Sequence, residues 1–243
     1  MEKLLWEIDS FRATFFSRKE IPLSDFNLIV ELVNKIFKEN EFKEIKDKQT
    51  GKSIYVIEYS DDRYLHIVYQ KNRLDFEIID RSDIKNEIKD IQVFFEEFMK
   101  LMKPIFNAVN NLEIVRLGIG IGILYIANSS KETTVALQKY FDVLNIEHDD
   151  FNEITLKTSK KLIVDDPSYQ ISINETLVGS SSEKIIIIED NESFPEGEIT
   201  NMCIIKIDIN TDAFNKHKIT SLESLLNQIT SIANKKLGYG DKL

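Results

Sequence analysis

The chain has 243 residues, 42% apolar and 30% charged, which suits one large domain or two small ones with a packed core. A single cysteine excludes a disulfide framework and a multi-cysteine metal site, and no apolar run approaches the roughly 20 residues of a membrane helix. The net charge is −10, and residues 142–198 alone hold fourteen acids against four bases, so generic nucleic-acid binding is disfavoured for want of a basic surplus.

Leu5 to Ser17 alternates with a phase change near Ser10, which predicts a long strand with a bulge. Pro22 and Ser24 then announce a helix, with Ser24 as its expected N-cap and Phe26, Ile29, Val30, Val33, Ile36 and Phe37 as one apolar stripe. An antiparallel meander is expected next, over Ser53–Tyr59, Tyr64–Gln70 and Arg73–Asp80. The strongest helical pattern follows, capped by Ser82 and running to about Lys103. Ile84, Ile88, Ile91, Phe95, Phe98, Met102, Ile105 and Val109 continue in alternating four- and three-residue steps, and Pro104 should kink or end the helix. Its wide aromatic seam suits a core helix gripped by a sheet, with a homodimer interface as the other use of such a seam.

The second half opens with a strand over Glu113–Ala127 and a helix from Ser130 to about Leu144. Strands are expected at Glu153–Thr158, Lys161–Val164, Tyr169–Val178, Lys184–Asp190 and Met202–Asn210, with 191–197 as an exposed loop and a closing helix over 221–237. The predicted class is α+β, mainly antiparallel sheet packed by long amphipathic helices. Residues 1–111 and 112–243 each read strand, helix, antiparallel strands, long helix. They could be two pseudo-repeated halves of one compact unit, a likeness of element order without residue identity between them.

Arg116 to Tyr125 is the most distinctive run, because Gly118, Gly120 and Gly122 alternate with isoleucines. A nucleotide-binding loop needs its glycines in a turn that opens a helix, whereas this alternation continues as a strand. The three glycines therefore share a face stripped of side chains, and something must approach the backbone there. A crossing helix is the expected cover, with a ligand or partner as the alternative.

At this run the chain resembles a sporadically distributed, uncharacterised family of bacterial proteins of similar length. Its members carry a mid-chain strand beginning Arg-hydrophobic-Gly-hydrophobic, matched by Arg116-Leu117-Gly118-Ile119. They also carry a late strand with a hydrophobic-Asp pattern, as in Ile207-Asp208-Ile209-Asn210. The chain departs from them where Arg-Tyr-Ile-Asn commonly follows, having Gly120, Ile121, Gly122 and Ile123 instead. The resemblance implies a bacterial or mobile-element origin and supplies no catalytic residue.

Little in the sequence points to catalysis. His66 is expected on a sheet face, His148 in an acidic link and His217 in a loop, without the spacing of metal ligands. Asp75 and Glu77 share a strand face, and Glu-Ile-Lys triplets at Glu44 and Glu87 supply a lysine two residues on. Glu87 falls on the long helix and Glu44 has no strong partner, so nuclease chemistry is not the expected reading. Cys203, within Met202-Cys203-Ile204-Ile205, reads as a buried apolar residue. The opening residues carry acids among their apolar side chains and do not read as a secretion signal, so the cytoplasm is the expected location.

Two functions are carried forward, with no catalytic, cofactor-binding or metal residues assigned. The first is a non-enzymatic bacterial protein that recognises another protein in a defence or mobile-element system. Asp149, Asp150, Glu153, Gly118, Gly120 and Gly122 are its candidate binding residues. The second is a small-ligand-binding protein, or an enzyme, with a cavity between the long aromatic helix and the sheet.

Overall fold

A computed structural model describes residues 7–37, 42–47, 52–60, 63–80, 91–141, 153–166, 169–188, 196–211, 218–219 and 221–237. In chain order the elements are β1 (Glu7–Ser17), α1 (Leu23–Ile36), β2 (Phe42–Asp47), β3 (Lys52–Ser60), β4 (Arg63–Gln70) and β5 (Arg73–Asp80). Then come α2 (Ile91–Asn111), β6 (Ile114–Ala127), α3 (Ser130–Phe141), β7 (Glu153–Asp166), β8 (Tyr169–Ile188), β9 (Glu196–Thr211) and α4 (Leu222–Leu237). The fold is α+β, as the pattern predicts. Every described strand pair is antiparallel, and one nine-stranded sheet runs β2-β3-β4-β5-β1-β6-β9-β8-β7. The opening strand of each half, β1 or β6, lies at the centre, and the last strand of each half pairs with it.

Alternation along the central strands separates two faces. On one, Phe11 and Phe15 of β1, Leu117, Ile119, Ile121 and Ile123 of β6, and Ile205, Ile207 and Ile209 of β9 are buried in a single core. The helices cover this face. Phe98 of α2 lies with its ring 5.0 Å from Phe11, and Phe95 with its ring 6.1 Å away. Phe26 of α1 stacks on Tyr69 at 4.5 Å, while Leu222, Leu225, Leu226 and Ile229 of α4 join the same cluster. Each fully buried Phe, Ile or Leu contributes about 1.5–3 kcal/mol, so this layer is the main source of stability.

The bulge near Ser10 is present: Ile8 pairs with Ile123 and Ser10 with Gly122, so the register shifts at Asp9. Several local expectations need correction. Helix α1 begins at Leu23, one residue before Ser24, with Pro22 at its N-cap position and no cap from any described side chain. In α3 the cap is Ser129 rather than Ser130. Ser129 Oγ accepts from the Glu132 amide at 3.3 Å, and Glu132 reaches back to the Asn128 amide at 3.0 Å.

Pro104 lies inside α2, which continues to Asn111. Its ring is on the exposed side, while Met102, Ile105, Phe106 and Val109 hold the following turns to the core. Strand β2 is additional to the predicted meander, and β7 and β8 are each continuous where two strands were expected. Gly179 to Glu183 read as a break, yet they stay extended because β7 and β9 flank most of them, as at Gly179 with Leu156 and Ile205. Glu196 and Gly197, expected in a loop, pair in β9. Ser82, Ile84, Ile88, His148, Asp149, Asp150, His217 and residues 191–195 lie outside the described residues.

Candidate functional site

The second face of the sheet carries the glycines. Because Phe11, Ile121 and Ile207 point to the helices, Ser10, Arg12 and Thr14 of β1 fall on the opposite side, with Gly118, Gly120 and Gly122 of β6. Lys206, Asp208 and Asn210 of β9 share that side, as do Asp75, Glu77 and Ile79 of β5. The expected helix over the glycines is therefore on the wrong face. The groups that approach the missing side chains are two polar side chains of neighbouring strands.

Across the sheet the register gives the row Glu77–Arg12–Gly120–Asp208. The Arg12 guanidinium lies over Gly120, where a Cβ would stand 3.1 Å from Nη2 and 3.4 Å from Nε. One row along, a Cβ at Gly118 would overlap the Asn210 side-chain amide. Asn210 Nδ2 in turn donates to Asp208 Oδ1. Glycine at 118 and 120 thus makes room for an amide and a guanidinium to lie flat on the sheet.

Above this floor is a groove of about 440 Å³, lined by Ser10, Arg12, Glu77, Ile79, Gly120, Gly122, Lys157, Lys206 and Asp208 together with the backbone of β6 and β9. Lys206 pairs with Gly122, and both Lys206 and Lys157 pair with Val178, so the two lysines flank β8 at one end of the groove. Both are exposed. Arg12 Nε is buried and has no hydrogen-bond partner among the described residues.

The neighbouring polar groups are already committed. Thr14 Oγ1 donates to Asp75 Oδ1 at 2.6 Å, and Arg73 Nε reaches both oxygens of Asp75 at 2.9–3.0 Å. Phe16 lies between two cations, with Arg116 at 4.7 Å and Arg73 at 5.5 Å from its ring centre. His66 is on β4 opposite Glu77, and both already have partners. Cys203 is on the helix-covered face, where burial pushes its thiol up to about 12. That value leaves it without thiolate character at neutral pH.

The structure gathers the three glycine positions into one strand and places Gly120 and Gly122 in the groove wall. Glu153 opens β7, far along the sheet from the glycines, and is not among the groove residues. Sequence reasoning missed Arg12, Lys157 and Lys206. A signal for Arg12 existed, since it is a lone cation between Phe11 and Ala13 in an apolar strand. No group of three or more His, Cys, Asp and Glu side chains placed to hold a metal occurs among the described residues. Nor is any described helix long and apolar enough to cross a membrane. No protein-family model and no curated protein matches the chain.

Proposed function

We propose that this chain is a non-enzymatic ligand-binding protein that receives a small molecule in the groove over Gly120 and Gly122. The observation that supports it is the pairing of a concavity of about 440 Å³ with a buried guanidinium nitrogen on its floor that has no hydrogen-bond partner among the described residues. Small-molecule sites are concavities of roughly 300–1,000 Å³, mostly apolar, in which a few converging polar groups fix the ligand. This reading puts the ligand on the face opposite α2 rather than between α2 and the sheet, where the Phe98 and Phe11 rings lie 5.0 Å apart.

Native mass spectrometry of the purified protein tests this reading. A bound small molecule retained by the parent and lost from Ser10→Trp, which fills the groove, is the expected result. A molecule retained equally by the filled variant, with unchanged melting, would refute it.

A second reading is favoured by the concentration of acids in residues 142–198. It is recognition of another protein, in the bacterial defence or mobile-element setting that the resemblance at Arg116–Ile119 implies. Reversing Asp149, Asp150 and Glu153 to Lys would then slow association with that protein and flatten its salt dependence.

A further inference from the structure

We infer that the group bound on the groove floor is an oxyanion, phosphate or carboxylate, carried by the small molecule and held by Arg12 with Lys206 and Lys157 at the rim. This rests on the ligand-binding reading above and adds the chemical class of the ligand. Three cations line the groove against two acids. Both acids are engaged: Asp208 accepts from Asn210 Nδ2, and Glu77 already has a partner. Arg12 differs, because its Nε is buried with no acceptor among the described residues.

A buried charged donor left without an acceptor is costly, and a small lift of the guanidinium off Gly120 would bring Nε to an oxyanion in the groove. The guanidinium is suited to that role, since its planar fork matches two oxygens of a phosphate or carboxylate. Gly120 lets the fork lie against the backbone with the groove open above it. Strands β1 and β9 are two apart in the sheet, which sets Arg12 and Lys206 on opposite sides of a gap of roughly 10 Å between their backbones. Two long side chains can close on one group from the two walls.

The net charge of −10 also bears on what carries the oxyanion. An acidic macromolecule would meet repulsion over its whole approach. A small anion responds chiefly to the nearest charges, because the field of distant ones is screened within about 10 Å.

The test is a titration with inorganic phosphate at constant ionic strength, followed by the amide resonances of Gly120 and Gly122 and the Nε–H of arginine. We expect saturable shifts confined to the groove in the parent protein. Arg12→Gln should weaken binding at least tenfold, Arg12→Lys should fall between, and the exposed Lys35→Gln on α1 should leave it unchanged. If Arg12→Gln lowers the melting temperature, Lys206→Gln, on the exposed rim, provides the test instead, with binding expected to weaken several-fold. Non-saturating shifts, or equal binding by parent, Arg12→Gln and Lys206→Gln, would overturn the oxyanion site. If phosphate fails while Ser10→Trp still expels a co-purified molecule, the anion class is wrong and the groove reading stands. If Ser10→Trp expels nothing and phosphate does not bind, both fall.

Discussion

Adding a side chain at Gly120 tests what covers the glycine face. A Cβ there would stand 3.1 Å from Arg12 Nη2, 3.4 Å from Nε and 3.5 Å from Cζ, so the guanidinium must lift by a few tenths of an ångström. Moving the end of a flexible side chain off its best rotamer costs about 0.5–1.5 kcal/mol. Replacing glycine by alanine inside a strand returns about 0.5–1 kcal/mol in backbone entropy. Gly120→Ala should therefore stay within about 1 kcal/mol of the parent. Valine would put its γ-carbons where the guanidinium lies and send Arg12 into the groove, where water can reach its Nε. Its higher strand propensity, on a scale spanning about 1 kcal/mol, offsets most of that loss. Urea denaturation and thermal melting of both variants give the measurement. For a chain of this size about 1 kcal/mol corresponds to roughly 2–4 °C, so Gly120→Val should melt within about 4 °C of the parent. A loss above about 3 kcal/mol, the upper range for overpacking against a rigid wall, would mean that backbone or a buried helix lies over Gly120. The arrangement of the two faces described above would then be wrong.

Three further outcomes follow from the packing and titration of single residues. Phe98→Ala should cost about 3–5 kcal/mol, because its ring is fully buried against Phe11, and a loss under about 1 kcal/mol would detach α2 from the sheet. Burial, and then the hydrogen bond that Tyr55 Oη donates to Glu44 Oε1 at 2.6 Å, push the Tyr55 phenol up to about 12 from 10.0. Since the folded value lies above the unfolded one, the stability from Tyr55 is complete below pH 10 and is lost as pH rises through about 12. The ultraviolet difference titration of parent against Tyr55→Phe should show that late midpoint, and ionisation near 10.0 would contradict it. Cys203, buried with its thiol pushed up to about 12, should resist alkylation at neutral pH until the protein unfolds, and rapid labelling of the native state would show that the covered face is open there.

Local pattern made much of this architecture legible. The meander β3–β4–β5 was readable because alternation and short polar turns act over neighbouring residues, and the α1 stripe because Phe26, Ile29, Val30 and Val33 recur at helical spacing. What local pattern missed was decided by distant partners. Charged β2 is extended because β3 pairs with it, and the Gly-Ser-Ser-Ser stretch of β8 is straight because strands lie on both sides. The glycine face was recognised as bare, yet periodicity cannot say which side of a central strand receives the helices. Leu117, Ile119, Ile121 and Ile123 offer an apolar face and the glycines a smooth one, and either accepts a helix in principle. The choice follows from Phe11 and Phe15 on β1 and Ile205, Ile207 and Ile209 on β9, whose register is tertiary information. Arg12, Lys157 and Lys206 were missed as a group for the same reason, since they come from three strands.

The central position of β1 also shapes how the chain must assemble. Its two neighbours, β5 and β6, begin only at Arg73 and Ile114, so β1 emerges from the ribosome long before either edge can be satisfied. At about 5–20 residues per second the wait for β6 is roughly 5–20 s. Phe11 and Phe15, fully buried in the finished protein, have no sheet to join until β5 has emerged, and one edge of β1 stays open until β6 follows. The outer strands β3, β4 and β5 can close locally in that time, whereas the middle of the sheet closes only through pairings far apart in the chain, which are slow to form. The nascent chain thus carries β1 with an unpaired edge until β6 follows. Weakening the β1–β5 or β1–β6 pairing would first be felt as lost yield of folded protein during synthesis, before any change in the stability of molecules that had already folded.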